Sequence, residues 1–183
     1  MEFLIIICLA IIVFALVAII GGIKKGKELN KKRKELVAQG MLFDLNASHV
    51  NGLPIAENVS CYIKYYADRI EISASGTEYN IAMDRITDIC TKTEMELQQQ
   101  YVSSAGGAVA GALMFGAVGA AIGGRTKKKE NRKYSHYFII TYMKDDEVKY
   151  LGFDVSYTYK IANIIVNHFK SCNSSQAPKK VEL

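Results

Sequence analysis

The spacing of apolar and polar positions changes character several times along the chain. Residues 3–23 are an unbroken run of apolar residues and glycine, and residues 2–23 contain no Lys, Arg, Asn, Gln or His. About 20 such residues in a helix, rising about 1.5 Å each, reach roughly 30 Å, the hydrocarbon thickness of a bilayer. Residues 24–39 are charged, with Leu29, Leu36 and Val37 as sparse apolar positions, and predict a juxtamembrane helix ended by Gly40. Residues 46–54 are rich in breakers and are expected to form a loop.

Beyond that loop the period shortens to two. Val59, Cys61, Ile63 and Tyr65 alternate with Ser60, Tyr62, Lys64 and Tyr66, and Ile70, Ile72 and Ala74 alternate with Arg69, Glu71 and Ser73. These are half-buried strands joined by a hairpin at Ala67-Asp68. Ser75-Gly76 turns the chain into a strand over 77–83, and Ile86 and Ile89 lead into a threonine-rich strand through Thr93. Residues 134–143, dense in aromatic and β-branched side chains, predict another strand. Asp145-Asp146 turns it into a partner over 148–155. Ser156 is placed to cap a last helix, whose buried stripe is Ile161, Ile164, Ile165, His168 and Phe169. Residues 171–183 have the composition of a disordered tail.

The expected fold class is therefore an N-terminal transmembrane helix (residues 1–23), a basic juxtamembrane helix (24–40) and a mainly-β domain (41–170) of six or seven antiparallel strands followed by one amphipathic helix. The segments Arg69-Ile70-Glu71-Ile72, Tyr79-Asn80-Ile81-Ala82-Met83-Asp84-Arg85-Ile86 and Tyr137-Phe138-Ile139-Ile140-Thr141-Tyr142 resemble the corresponding strands of bacterial pleckstrin-homology-like (PH-like) and GRAM-like domains. The resemblance implies a PH-like antiparallel barrel closed by the C-terminal helix. With its glycine-rich insert, the chain is also similar to membrane-anchored proteins of Gram-positive bacteria and their mobile elements. That likeness implies a fold and a topology and carries no activity.

Charge sets the orientation of the first segment. Lys24, Lys25, Lys27, Lys31, Lys32, Arg33 and Lys34 follow the apolar run, and only Met1-Glu2 precedes it. A cleaved signal peptide has the opposite order, with basic residues first and a shorter apolar stretch. A buried soluble helix is the remaining alternative. The favoured expectation is an uncleaved single-pass anchor in the cell membrane, with the C-terminal domain cytoplasmic. The net charge of +5 is modest and concentrated in this cluster and in a second over 125–133, with Arg125, Lys127, Lys128 and Lys129. Both are candidate contacts for anionic lipid headgroups, at about 1 kcal/mol per residue. The plainer reading makes the first a stop-transfer flank and the second a solvated loop. Basic residues are not interleaved with aromatics on a folded face, which argues against nucleic acid.

Between Glu96 and Arg125 there is no charge, and residues 105–124 are built from glycine, alanine and a few larger apolar residues. Gly107, Gly111, Gly119 and Gly123 recur at multiples of four, and positions 108, 112, 116, 120 and 124 are alanine or glycine, Gly116 among them. On a helix these rows form one small-residue face suited to close helix packing. In water each glycine would cost about 0.5–1 kcal/mol against alanine. The insert (102–126) is expected to be a glycine-zipper hairpin dipping into the near leaflet, with a full span or a protein-buried insert as alternatives. A single crossing would put residues 134–155 and 59–93 on opposite sides of the membrane, where they could not share a sheet. Gly119 to Thr126 nearly matches a phosphate-binding loop, but Arg125 replaces its lysine and no strand precedes it.

The three histidines are isolated, and no metal or nucleophile motif is present, so no cofactor, no metal and no catalysis are expected. The four cysteines, Cys8, Cys61, Cys90 and Cys172, lack paired spacing and are expected to be buried, reduced thiols. The expected function is a non-catalytic binding or scaffolding module apposed to the inner leaflet. Its partners would be anionic lipid, a protein, or a second copy through the glycines. The alternative is a self-assembling element that permeabilises or remodels the bilayer.

Overall fold

The computed structural model describes residues 22–23, 26–97 and 135–174. The expected anchor over 3–21, Lys24 and Lys25, the glycine-rich insert, the basic run 125–133 and the tail beyond Ser174 lie outside the described residues. Among the described residues no helix is long and apolar enough to cross a membrane. The chain forms two compact units, residues 1–41 and 42–183. In the first, residues 26–38 form helix α1, ended by the turn at Gln39-Gly40. Gly40 has φ +92°, so the predicted stop uses the left-handed conformation that glycine tolerates.

The second unit is a single seven-stranded antiparallel sheet and one helix. The strands are β1 (Met41–Asn51), β2 (Ser60–Tyr66), β3 (Arg69–Ala74), β4 (Thr77–Ala82), β5 (Ile86–Thr93), β6 (His136–Lys144) and β7 (Glu147–Asp154). Helix α2 is Tyr159–Ser174. The order across the sheet is β4-β3-β2-β1-β7-β6-β5.

The β1 strand was not expected, because Asn46, Asn51 and Gly52 read as breakers. Leu45 and Ala47 nevertheless point into the core, and pairing with β7 carries the strand through a bulge between His49 and Asn51. The hairpins at Ala67-Asp68 and Asp145-Asp146 fall where the alternation placed them, the second with both aspartates at positive φ.

The sheet is open, in contrast to the closed barrel expected. Its edge strands β4 and β5 are consecutive in the chain, joined only by the 3₁₀ turn Met83–Arg85. Seven strands laid flat would separate those edges by nearly 30 Å at about 4.8 Å each, whereas three residues span about 10 Å. The sheet must therefore curl until its edges approach, leaving an unpaired corner at the turn.

The concave face holds the core: Ile63 and Tyr65 of β2, Ile70 and Ile72 of β3, Ile89 of β5, Phe138 and Ile140 of β6, and Leu151 and Phe153 of β7. Helix α2 packs into it with Ala162, Ile165, Val166 and Phe169. This face is rotated from the predicted stripe, since Ile161 and Ile164 are exposed and the small Ala162 is fully buried. Ser156 does not cap α2. It accepts a hydrogen bond from the His136 backbone N–H at 3.1 Å and donates to Asp154 Oδ1 at 2.6 Å, and the helix begins three residues later. Residues 171–174, expected in the tail, continue that helix.

His49 fixes the loop between β1 and β2. Leu53 N–H donates to its Nε2 at 3.1 Å, so the proton sits on Nδ1 and is donated to Ala56 O at 3.0 Å. The ring is buried and packs edge-on against Phe153. Replacing His49 with Leu strands a donor and an acceptor at once. The expected loss is about 2–4 kcal/mol in urea denaturation; a loss below about 1 kcal/mol would mean that water replaces the ring without penalty.

Candidate functional site

Helix α1 carries Lys27, Lys31, Lys32, Arg33 and Lys34, all solvent-exposed. Lys27, Lys31 and Lys34 recur at i, i+4 and i+7 and so share one face. Lys32 forms a loose ion pair with Glu28 at 3.7 Å, both side chains about two-thirds exposed, which holds little energy. Leu29 and Val37 are also exposed. The remaining predicted headgroup contacts, Lys24, Lys25, Arg125, Lys127, Lys128 and Lys129, lie outside the described residues, as do Gly107, Gly111, Gly116, Gly119 and Gly123.

The roots of the glycine-rich segment are described, and they are adjacent. Thr93 pairs with His136 across β5 and β6, and Glu94 N–H donates to Ser135 O at 3.1 Å. The chain thus leaves and re-enters the sheet at one place. At the departure Glu96 N–H donates to Thr93 Oγ1 at 3.2 Å, while Thr93 N–H donates to Glu96 Oε2 at 2.6 Å. This reciprocal capping box starts a helical turn over 94–97. The hydrogen bond from the Thr93 backbone N–H holds the Glu96 carboxyl below its ordinary range, against the opposing effect of burial. Sequence reasoning passed over it by reading Thr93 only as the end of a strand, although Thr-x-x-Glu was a legible signal. At the return, the His136 ring packs on Tyr159 at 3.9 Å and its buried Nδ1 has no hydrogen-bond partner among the described residues.

The convex face of the sheet is chemically divided. Over β2–β4 it carries a charged network that alternation alone does not reveal. Lys64, 8 % exposed, reaches Glu71 at 2.9 Å and Glu78 at 2.7 Å, and Arg69 binds Glu71 at 2.7 Å while lying over the Tyr66 ring. Over β5–β7 the same face carries an apolar cluster, with Val50 of β1, Cys90, Leu97, Tyr137 and Ile139 buried together and Tyr150 against them, bordered on β5 by Asp88 and Lys92.

Burial pulls the Lys64 ammonium down, but its hydrogen bonds to Glu78 and Glu71 outweigh this and raise it overall. Burial pushes Glu71 up, and the bonds from Lys64 and Arg69 reverse that to a net lowering. Glu78 is lowered by Lys64 first. The carboxylates therefore add stability above the ordinary carboxylate range that is lost as pH falls through their lowered values. The contribution of Lys64 is lost only as pH rises through its raised value. Lys64→Met is expected to cost about 2–3 kcal/mol, because Glu71 keeps Arg69 but loses its buried partner. It should also flatten the acid limb of a stability–pH curve; an unchanged limb would show that the network does not set it.

Of the thiols, Cys61 and Cys90 are buried as expected, but Cys172 is exposed on the last turn of α2. His168 is half-buried, packed against Phe43 and Tyr65 and 3.4 Å from Tyr65 Oη. Among the described residues no group of three His, Cys, Asp or Glu is placed to hold a metal ion.

Comparison with protein-family models and with curated proteins returns no match.

Proposed function

We propose that the protein is a membrane-anchored, non-catalytic binding or scaffolding module whose C-terminal domain lies on the cytoplasmic side, apposed to the inner leaflet. The observation that carries this reading is the exposed basic helix α1, which directly follows an apolar run long enough to span a bilayer. Its five described cations are solvent-exposed and concentrate positive charge of the kind that attracts anionic headgroups. A PH-like fold for the domain is supported by the strand order, the open corner at β4–β5 and the C-terminal helix packed into the concave face.

The adjacent roots of the glycine-rich segment support the topology. A single crossing by 105–124 would carry Ser135 to the far side of the membrane from Glu94, to which it is hydrogen-bonded. Two full crossings need about 40 apolar residues, more than the uncharged stretch 97–124 supplies. Single cysteines at Ser104 and Lys129, in a chain lacking the native four, test this with an impermeant thiol reagent in intact cells. Protection of both until lysis is expected. Labelling of either from outside would overturn the proposed topology.

The second reading is self-assembly through Gly107, Gly111, Gly116, Gly119 and Gly123, favoured by the four-residue recurrence of Gly107, Gly111, Gly119 and Gly123 and the adjacent small-residue row that holds Gly116. Loss of oligomers in mild detergent on replacing Gly111 and Gly119 with Leu would support it over the binding module.

A further inference from the structure

The convex face of β7, β6 and β5, extended by Val50 at the end of β1, buries apolar side chains where a solvated surface would carry polar ones. Along β6, Phe138 and Ile140 point into the core, so Tyr137 and Ile139 point away from it. An antiparallel sheet with one wet face alternates apolar with polar, as β2–β4 do with Lys64, Glu71 and Ser73. Here Ile139 is 0 % exposed, Tyr137 3 % and Cys90 8 %. Gly152, opposite Ile139 on β7, is buried as well. Helix α2 is not the cover: it meets the other face, through Thr91 Oγ1 donating to Asn163 Oδ1 at 2.7 Å and through Tyr159 on His136. Burial also pushes the Cys90 thiol up to about 12, helped by the neighbouring Asp88.

We propose that residues 98–124 of the same chain dock over this convex face, making the glycine-rich segment a second layer of the domain. The segment starts directly after Leu97, itself 1 % exposed and part of the apolar cluster, and the chain returns to the sheet at Ser135, two residues before Tyr137. The segment is thus tethered at the edge of the face, at a high effective concentration. The patch is three strands wide with Val50 at its margin, about 10 Å between the outer strand axes, and 27 residues of helix would reach about 40 Å, enough to cross it and turn back. The segment is uncharged, and its glycines and alanines allow close approach to a sheet that is itself lowered at Gly152. A bilayer fits less well as the cover, because Asp88 and Lys92 flank Cys90 on the same face of β5. The inference goes beyond the proposed membrane role, which rests on the apolar run and α1.

A photoreactive benzoyl-phenylalanine at Tyr150, beside the cluster, tests the occupant in the full chain reconstituted in nanodiscs of anionic lipid. The sample is a mixture of isotopically heavy and light protein. Cross-links joining residue 150 to peptides within 98–124 of the same isotope are expected. Mixed heavy–light pairs would assign the face to a second copy, lipid adducts would assign it to the bilayer, and absence of any adduct to 98–124 would likewise overturn the proposal.

A second measurement uses a full chain in which Cys90 is the only cysteine. Its slow modification should accelerate about tenfold or more when Gly107 and Gly111 become Leu, with circular dichroism unchanged. An unchanged rate, or rapid modification before the substitutions, would also overturn the docking.

Discussion

Gly52→Ala is expected to cost about 3–5 kcal/mol, the range seen when bulk is forced against backbone that cannot move aside. Gly52 follows β1 with φ +105°. A Cβ there would press on Tyr150 O well inside van der Waals contact, with Leu151 Cδ2 at 2.8 Å and Leu151 Cα at 3.0 Å. Two of those atoms are backbone of β7, which is held on both sides by β1 and β6, so no rotamer change relieves the overlap. The strain falls on the β1–β7 pairing, where Asn51 meets Gly152. That pairing joins β2–β4 to β5–β7, so loosening it exposes the core rather than one loop.

Domains of this size hold about 5–15 kcal/mol in all, and the melting temperature should fall by roughly 10 °C or more. Gly76→Ala is the control. It has φ +76° but open space around the added carbon, so only the conformational cost applies, about 1 kcal/mol. If thermal denaturation gives the two variants equal losses, the close approach of Gly52 to β7 is not a constraint in solution.

What the sequence disclosed and what it withheld follow from the range of the interactions. Two-residue alternation at 60–66 and 69–74 reports a face buried by the sheet itself, so the course of β2 and β3 and their hairpin was legible. Strand β1 was hidden because Asn46 and Asn51 have low strand propensity, and its pairing with β7, a hundred residues on, overrides that preference. The helical stripe was misplaced by a fraction of a turn, because large aliphatics on α2 were counted above Ala162, a small side chain that is fully buried.

Lys64 looked like an outward charge of an amphipathic strand, and only the register that sets it opposite Glu71 makes it a buried ion. The predicted headgroup contacts were legible as clusters. For Lys27, Lys31, Lys32, Arg33 and Lys34 the helix and its exposure match the expectation, while their role remains a proposal. The roots of the glycine-rich segment could have been approached through the capping box at Thr93 and Glu96. Their hydrogen-bonded adjacency needed the β5–β6 register.

Replacing Lys27, Lys31, Lys32, Arg33 and Lys34 with Gln is expected to weaken binding to phosphatidylserine-rich vesicles by about three orders of magnitude. The measurement is a sedimentation titration of the chain without residues 1–23, so that the apolar run does not mask the contribution of charge. At about 1 kcal/mol per cation near an anionic surface, five cations supply up to about 5 kcal/mol. Glu28 and Glu35 lie on the same helix and reduce that sum, because part of the attraction of Lys32 is already directed to Glu28.

The effect should shrink as salt rises, since exposed charges are screened beyond about 8 Å at physiological ionic strength. Phosphatidylcholine vesicles should bind neither form. The competing account makes these residues only a stop-transfer flank, and it predicts a different pair of results. Vesicle binding would be weak in both forms, while the substituted full chain would invert its orientation in cells, because positive residues beside a span fix its direction. Lost vesicle binding with orientation retained, through Lys24 and Lys25, would assign the helix to lipid contact.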